Sequence, residues 1–216
     1  LPISPASHYS MGGIKTDINA RTNIRNLFAC GECAEASIHG ANRLGGNSLL
    51  EIVTFGKIAG INASNDEKNI SKIHTLNKSL KQDEENINKI YNYSNKINFY
   101  KQKDDIGNLL FNNLGLFRNE EKISTLIKKI KELNLEIENM GIADKSKTYN
   151  KNLVEFLEFR NILNVALLVS ISALNRKESR GSHFRLDYPL ERQEYEKNTI
   201  IKKLDNKIIV EFEEIV

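Results

Sequence analysis

Apolar residues recur at helical spacing over much of the C-terminal two-thirds of the chain. Between Asn152 and Arg176, residues Leu153, Phe156, Leu157, Leu163, Leu167, Ile171 and Leu174 gather on one side of a 3.6-residue repeat, which predicts the strongest helix and its core. Ile123, Leu126, Ile127, Ile130, Leu133, Ile137 and Met140 keep the same spacing until Gly141 ends it, and Asp104 to Phe117 carries a further run. From Ser64 to Lys103 the chain is dense in Asn, Lys, Glu and Ile without Gly or Pro, the pattern of helix with polar connections. Together these segments predict an antiparallel helical bundle. The charged face around Lys128 to Lys131 is expected to be solvated.

The two ends are patterned differently. Leu1 to Gly13 reads as an extended segment, because Pro2 and Pro5 oppose helix and Gly12-Gly13 close it in a turn. Leu27 to Cys30 reads as a buried strand with Gly31-Glu32 at its carboxyl end, the side of a sheet on which α/β proteins bind ligands. Leu49, Ile52, Val53, Phe55, Gly56 and Ala59 make one side of a helix that runs to about Ala63. At the other end, TIIKKLDNKIIVEFEEIV alternates apolar and polar residues on both sides of Asp205-Asn206, a hairpin signal. The expected division is therefore an α/β segment over residues 1–63, a helical domain over 64–180, and a loop with a hairpin tail over 181–216.

Composition narrows this little. With 216 residues and 40% hydrophobic content the chain can build a real core, and a net charge of +3 leaves no footprint for nucleic acid or a membrane surface. No apolar run is read as approaching the roughly 20 residues that span a bilayer. The chain opens at Leu1 directly into strand-like sequence, from which a piece of a longer protein is expected. Cys30 and Cys33 form one C-G-E-C pair. With no second pair and four scattered histidines, and with Cys30 ending an apolar run, the pair reads as structural and no metal site is expected.

Candidate chemistry concentrates in Ile38 to Ile52, IHGANRLGGNSLLEI. Gly40, Gly45 and Gly46 admit a tight loop, Ser48 and Glu51 have capping-box spacing, and a helix starting there offers unpaired N–H groups to an anion or a cofactor edge. Arg43 in that loop is placed to fork onto a carboxylate. His8 is a lone histidine, a type that is more often structural than catalytic, and Glu32 could accept hydrogen bonds from hydroxyl groups. Ser179 to Pro189 concentrates two arginines, a histidine and an Asp-Tyr-Pro turn; its bland reading is a packed loop tying the bundle to its neighbour.

Four ordered motifs, HYSMGGIKTD, NLFACGE, HGANRLGGNSLLE and RKESRGSHFRLDYP, closely resemble the C-terminal half of the succinate dehydrogenase/fumarate reductase flavoprotein subunit family, which includes L-aspartate oxidase. The resemblance covers the whole chain and is weakest from Ser64 to Lys103. It implies the C-terminal part of an FAD-binding α/β domain followed by a helical domain, with hydride transfer between flavin and a C4 dicarboxylate. By their places in the motifs, His8 and Arg43 are implied as substrate-binding residues, and Glu32, Ser48 and Leu49 as contacts to FAD.

The resemblance also implies that the dinucleotide fingerprint, the flavinylation histidine and the proton-carrying arginine lie upstream of the matching region. No catalytic acid is therefore expected here, and the isolated chain is expected to hold FAD weakly or not at all. The hairpin-like tail leans towards the respiratory type, with an iron–sulfur subunit as partner and a cytoplasmic place at the inner face of a membrane. The competing expectations are a fragment of L-aspartate oxidase, making iminosuccinate, and a non-catalytic helical assembly module.

Overall fold

A computed structural model describes residues 8–66, 74–205 and 207–215. Residues 1–7 of the expected extended segment, positions 67–73 and Asn206 of the expected turn lie outside the described residues. The chain forms two compact units: residues 1–71 with 196–200 and 213–216, and residues 72–195 with 201–212.

In the first unit, strand β1 (Ile14–Lys15) pairs in parallel with β2 (Ala34–Glu35), with Ile14 opposite Ala34 and Lys15 opposite Glu35. Gly13 is required here, since an added Cβ would sit 2.3 Å from the Cys33 carbonyl oxygen. Helix α1 (Asn47–Asp66) follows the glycine loop. The expected buried strand at Leu27–Cys30 is not formed. Only an isolated bridge joins Phe28 to Arg21, Ala29 is buried, and Leu27 is 43% exposed. A strand needs a ladder partner on at least one edge, and among the described residues this segment has that single bridge. Glu32 therefore precedes a strand, β2, rather than ending one.

The second unit is helical. Helices α2 (His74–Asn92), α3 (Phe99–Leu114), α4 (Glu120–Leu135) and α5 (Lys151–Asn175) carry most of it. The run expected to continue to Gly141 is divided: α4 stops at Leu135 and a 3-10 turn covers Ile137–Asn139. Gly141 admits close backbone approach, because an added Cβ would lie 2.5 Å from the Tyr93 carbonyl oxygen. Asparagines begin three helices. Asn98, Asn119 and Asn150 accept from the N–H groups of Tyr100, Lys122 and Leu153 respectively, satisfying donors that a first turn leaves open.

The core of this unit joins Ile90 of α2 to Phe99 and Ile106 of α3, Ile123, Leu126 and Ile130 of α4, and Phe156, Phe159 and Leu163 of α5. Phe99 meets Phe156 edge-on at 5.4 Å between ring centroids. Of the core positions expected in α5, Phe156 and Leu163 are fully buried, while Leu153, Leu157, Leu167, Ile171 and Leu174 pack at its edge. Phe159, Ala166 and Ala173 complete the buried stripe.

Contrary to the sequence reading, α5 is long and apolar enough to cross a membrane by length and composition, with a mean hydropathy of 1.5. It packs on α4 and α3 through that stripe and carries Lys151, Glu155, Glu158 and Arg160 in its first turns.

After α5, Arg185 is fully buried and donates to the carbonyls of Ala173 and Leu174 at 2.9 and 3.1 Å. A cation thus meets the open carbonyls and negative end of a helix dipole. Asp187 grips the same guanidinium with both oxygens, at 2.7 and 2.8 Å, and Asp187 Oδ2 accepts the Glu120 N–H at the start of α4. Arg118 donates to the Gly115 carbonyl just beyond α3. The Ser179–Pro189 segment is thus a tie across three helix ends. The tail forms the expected hairpin of β3 (Asn198–Leu204) and β4 (Lys207–Glu213), with Asp205 in the left-handed region at φ 47°.

Candidate functional site

In the first unit, Tyr9 and His39 converge on one buried carboxylate, while His8, Glu32, Ser48 and Leu49 make no contact with it that is described. Glu51 lies in the first turns of α1 with its side chain 1% exposed. Its Oε2 accepts from the Tyr9 hydroxyl at 2.8 Å and from His39 Nε2 at 2.7 Å. The expected capping box is therefore not made: α1 begins at Asn47, Ser48 lies within its first turn, and the Glu51 carboxylate faces Tyr9 and His39. Two donors from distant chain segments compete with the local N–H for one carboxylate, and the tertiary pair prevails.

The Tyr9 ring in turn lies under the Arg43 guanidinium, with Cζ 4.4 Å from the ring centroid. Arg43 Nη1 donates to the Leu44 carbonyl at 3.0 Å. Burial, reinforced by the hydrogen bond to Glu51, pushes the Tyr9 hydroxyl up to about 12, so it remains a donor at any ordinary pH. Two buried polar atoms in this cluster, Arg43 Nε and His39 Nδ1, have no hydrogen-bond partner among the described residues. With Nη1 anchored, the buried Nε is left unpaired, and a guanidinium with N–H groups to spare is a fork for a carboxylate.

His8 is exposed and adjoins Tyr9, so the Tyr9 tether also holds its backbone. Ser10, on the other side, donates its N–H to Glu32 Oε1 at 2.9 Å. Glu32 is exposed and its second oxygen is open to a ligand hydroxyl. Gly45 and Gly46 face open space, where an added Cβ would meet nothing within 4 Å. Gly46, at φ +84°, needs glycine for its conformation, whereas nothing packed against Gly45 among the described residues requires its small size. The loop thus leaves backbone and the start of α1, at Ser48 and Leu49, accessible to a flat group from outside. These features fit a flavin edge and a carboxylate.

Tyr9, His39 and Glu51 were not selected as site residues from the sequence. Tyr9 adjoins a selected residue, His39 lies in the selected loop, and Glu51 was assigned to a cap; pairing across 42 residues had no local signal. The Cys33 thiol donates to the Cys30 carbonyl, and no group of three or more metal-ligating side chains occurs among the described residues. A groove of about 460 Å³ in the helical unit is lined by Asn86, Ile87, Arg160 and Asn164 among others, and contains none of the selected residues.

The chain matches the family model described as fumarate reductase flavoprotein C-term over residues 103–216, and an FAD binding domain model over residues 1–49. It is 38% identical over 192 residues to the fumarate reductase flavoprotein subunit of Escherichia coli, covering 87% of this chain and 31% of that one. It is 34% identical over 199 residues to the succinate dehydrogenase flavoprotein subunit of Coxiella burnetii, covering 87% and 34%. A solved structure of E. coli quinol fumarate reductase superposes with a TM-score of 0.95 at 33% identity, covering all of this chain and 38% of that one. The chain spans about a third of the length of these curated relatives. It belongs to the fumarate reductase/succinate dehydrogenase flavoprotein family.

Proposed function

We propose that this member of the flavoprotein family is the C-terminal portion of an FAD-dependent oxidoreductase that exchanges hydride between flavin and a C4 dicarboxylate, succinate or fumarate. The observation that carries the reading is the Arg43 site: a guanidinium stacked on Tyr9, anchored by one nitrogen, with a buried Nε left for a ligand. Arg43 and His8 bind the substrate carboxylates. Glu32 meets a cofactor hydroxyl, and the Ser48–Leu49 backbone at the N-terminal end of α1 faces the flavin. Residues 1–63 serve as the closing part of the FAD-binding domain, residues 64–180 as the helical domain and residues 181–216 as the C-terminal loop and tail.

Bound FAD supplies the hydride acceptor or donor. What the chain's own residues do is electrostatic and positional. The fixed Arg43 cation stabilises charge that builds on the substrate carboxylate in the transition state, and the helix N-terminus favours negative charge beside Ser48. The 216 residues contain no G-x-G-x-x-G fingerprint, so the chain alone holds FAD weakly or not at all. An iron–sulfur subunit exchanges electrons with it, at the cytoplasmic face of a membrane.

The reading is tested in the flavoprotein subunit that contains this chain. Arg43→Ala is expected to lower kcat/KM for fumarate and succinate by roughly 10²–10³, the scale of one lost charge-stabilising donor. Unchanged turnover refutes the assignment, and turnover of L-aspartate in place of both acids reassigns the substrate. Stoichiometric flavin in the isolated 216-residue chain, seen in its absorbance bands, refutes the dependence on an upstream half.

A further inference from the structure

We infer that Glu51 is a positioning residue for the dicarboxylate clamp, acting on Arg43 and His8 through Tyr9 and on the loop through His39. The inference rests on the function proposed above and assigns a part that none of the motif residues supplies. A carboxylate at 1% side-chain exposure is costly to bury, and Glu51 is a helix residue whose local cap it does not make. What it does make is a shared acceptor for two side chains 42 and 12 residues away in the chain.

The consequence of each bond can be followed. The Tyr9 hydroxyl held by Glu51 fixes the plane of the ring, and that ring is the surface on which Arg43 lies. Tyr9 and His39 also meet edge-on, with ring centroids 5.5 Å apart, so the tyrosine is gripped on two sides. His39 Nε2 lies 2.7 Å from the same Glu51 oxygen, and its Nδ1 is buried with no hydrogen-bond partner among the described residues. Ser10 is pinned separately by Glu32, so His8 lies in a segment fastened immediately after it, at Tyr9 and at Ser10. One buried carboxylate thus sets the orientation of the arginine and one of the two fastenings of the histidine segment. A carboxylate that served stability alone would leave ligand affinity untouched.

The test uses the flavin-loaded subunit that contains this chain and malonate, a dicarboxylate with no CH–CH bond to oxidise, titrated by the change in flavin absorbance and by calorimetry. Tyr9→Phe keeps the ring and removes the tether. Glu51→Ala removes the acceptor, and Glu51→Gln keeps its volume and one carbonyl. Tyr9→Phe and Glu51→Ala are each expected to raise the malonate Kd about tenfold, within the range of a partly lost cation–π contact, with Glu51→Gln in between. In an Arg43→Lys background, Glu51→Ala should add much less than it does alone, since both act on one contact.

Unchanged malonate Kd in Tyr9→Phe and Glu51→Gln, or effects that simply add to Arg43→Lys, overturns the positioning role and leaves the proposed function standing. A wild-type flavin-loaded subunit that does not bind malonate overturns both. Tyr9→Phe preserves the fold of a half-buried residue, so the outcome does not depend on Glu51→Ala remaining soluble.

Discussion

His183 shows how strongly one side chain's surroundings set its chemistry. Its Nδ1 accepts from Arg118 at 2.9 Å and its Nε2–H donates to the Arg176 carbonyl at 3.1 Å, so the neutral Nε2–H tautomer satisfies both contacts. Desolvation by burial, and then the nearby charges of Arg118, Arg176 and Arg185 against the carbonyl's opposing pull, bring its pKa down to about 4. The unfolded ring takes a proton near pH 6.5 and the folded ring only near 4, so stability is full above the unfolded value, falls between the two, and levels off below. The loss is on the order of 3 kcal/mol. His183→Asn, which keeps an acceptor near Nδ1, should flatten that part of the urea-midpoint profile between pH 6.5 and 4.

Asp187, held at about 2 chiefly by its hydrogen bonds from Arg185, adds a second loss. Its depressed value contributes stability above the ordinary aspartate range, lost as pH falls towards 2. An acid profile with one step in the His183 range and a further fall below pH 4 is the expected form. A flat profile from pH 7 to 4 would show that His183 is not buried as described.

Among the helices, composition and structure explain each other. The chain's many asparagines supply helix starts, and α4 is capped twice, by Asn119 from within and by Asp187 from the loop after α5. Asn150→Ala is expected to cost about 1 kcal/mol in urea unfolding, the usual worth of a side-chain cap. Asn119→Ala should cost less than its bond suggests, because Asp187 still engages the same turn. Phe159→Ala, fully buried beside Phe99 in the aromatic cluster, should cost roughly 3–5 kcal/mol. A loss under 1 kcal/mol would contradict the packed core.

For the chain taken as a whole, the informative surface is apolar. Leu44, Leu49, Leu50 and Val53 are 72%, 66%, 66% and 72% exposed, a density of large side chains that a soluble surface rarely carries in one stretch. The chain spans about a third of its curated relatives, and this stretch falls at the end of the FAD binding domain match. The isolated chain is expected to self-associate with rising concentration in light scattering, and Leu50→Lys with Val53→Lys to reduce this. Monomeric behaviour of the unsubstituted chain at high concentration would argue that the apolar side chains need no cover.

The helices, the hairpin and the family were legible in the amino-acid sequence because their signals are local: a 3.6-residue repeat, a two-residue alternation, and short runs of fixed order. Phe156, Leu163 and the α4 stripe follow from spacing alone. Strand pairing at Leu27–Cys30 did not, since a strand is completed by a neighbour that spacing cannot name. Nor did the apolar character of α5 show which of its faces meets α4; the packed stripe did.

Arg185 and Glu51 mark the same limit. By type alone each is a surface residue, and only folding brings the open carbonyls ending α5 and the Asp187 carboxylate to one and two distant donors to the other. Sequence determined that Arg43 stands in a glycine loop before a helix; tertiary structure decided that it lies on Tyr9 and that Tyr9 is tied to Glu51, because the partners of a buried carboxylate are chosen by proximity in space across 42 residues of chain.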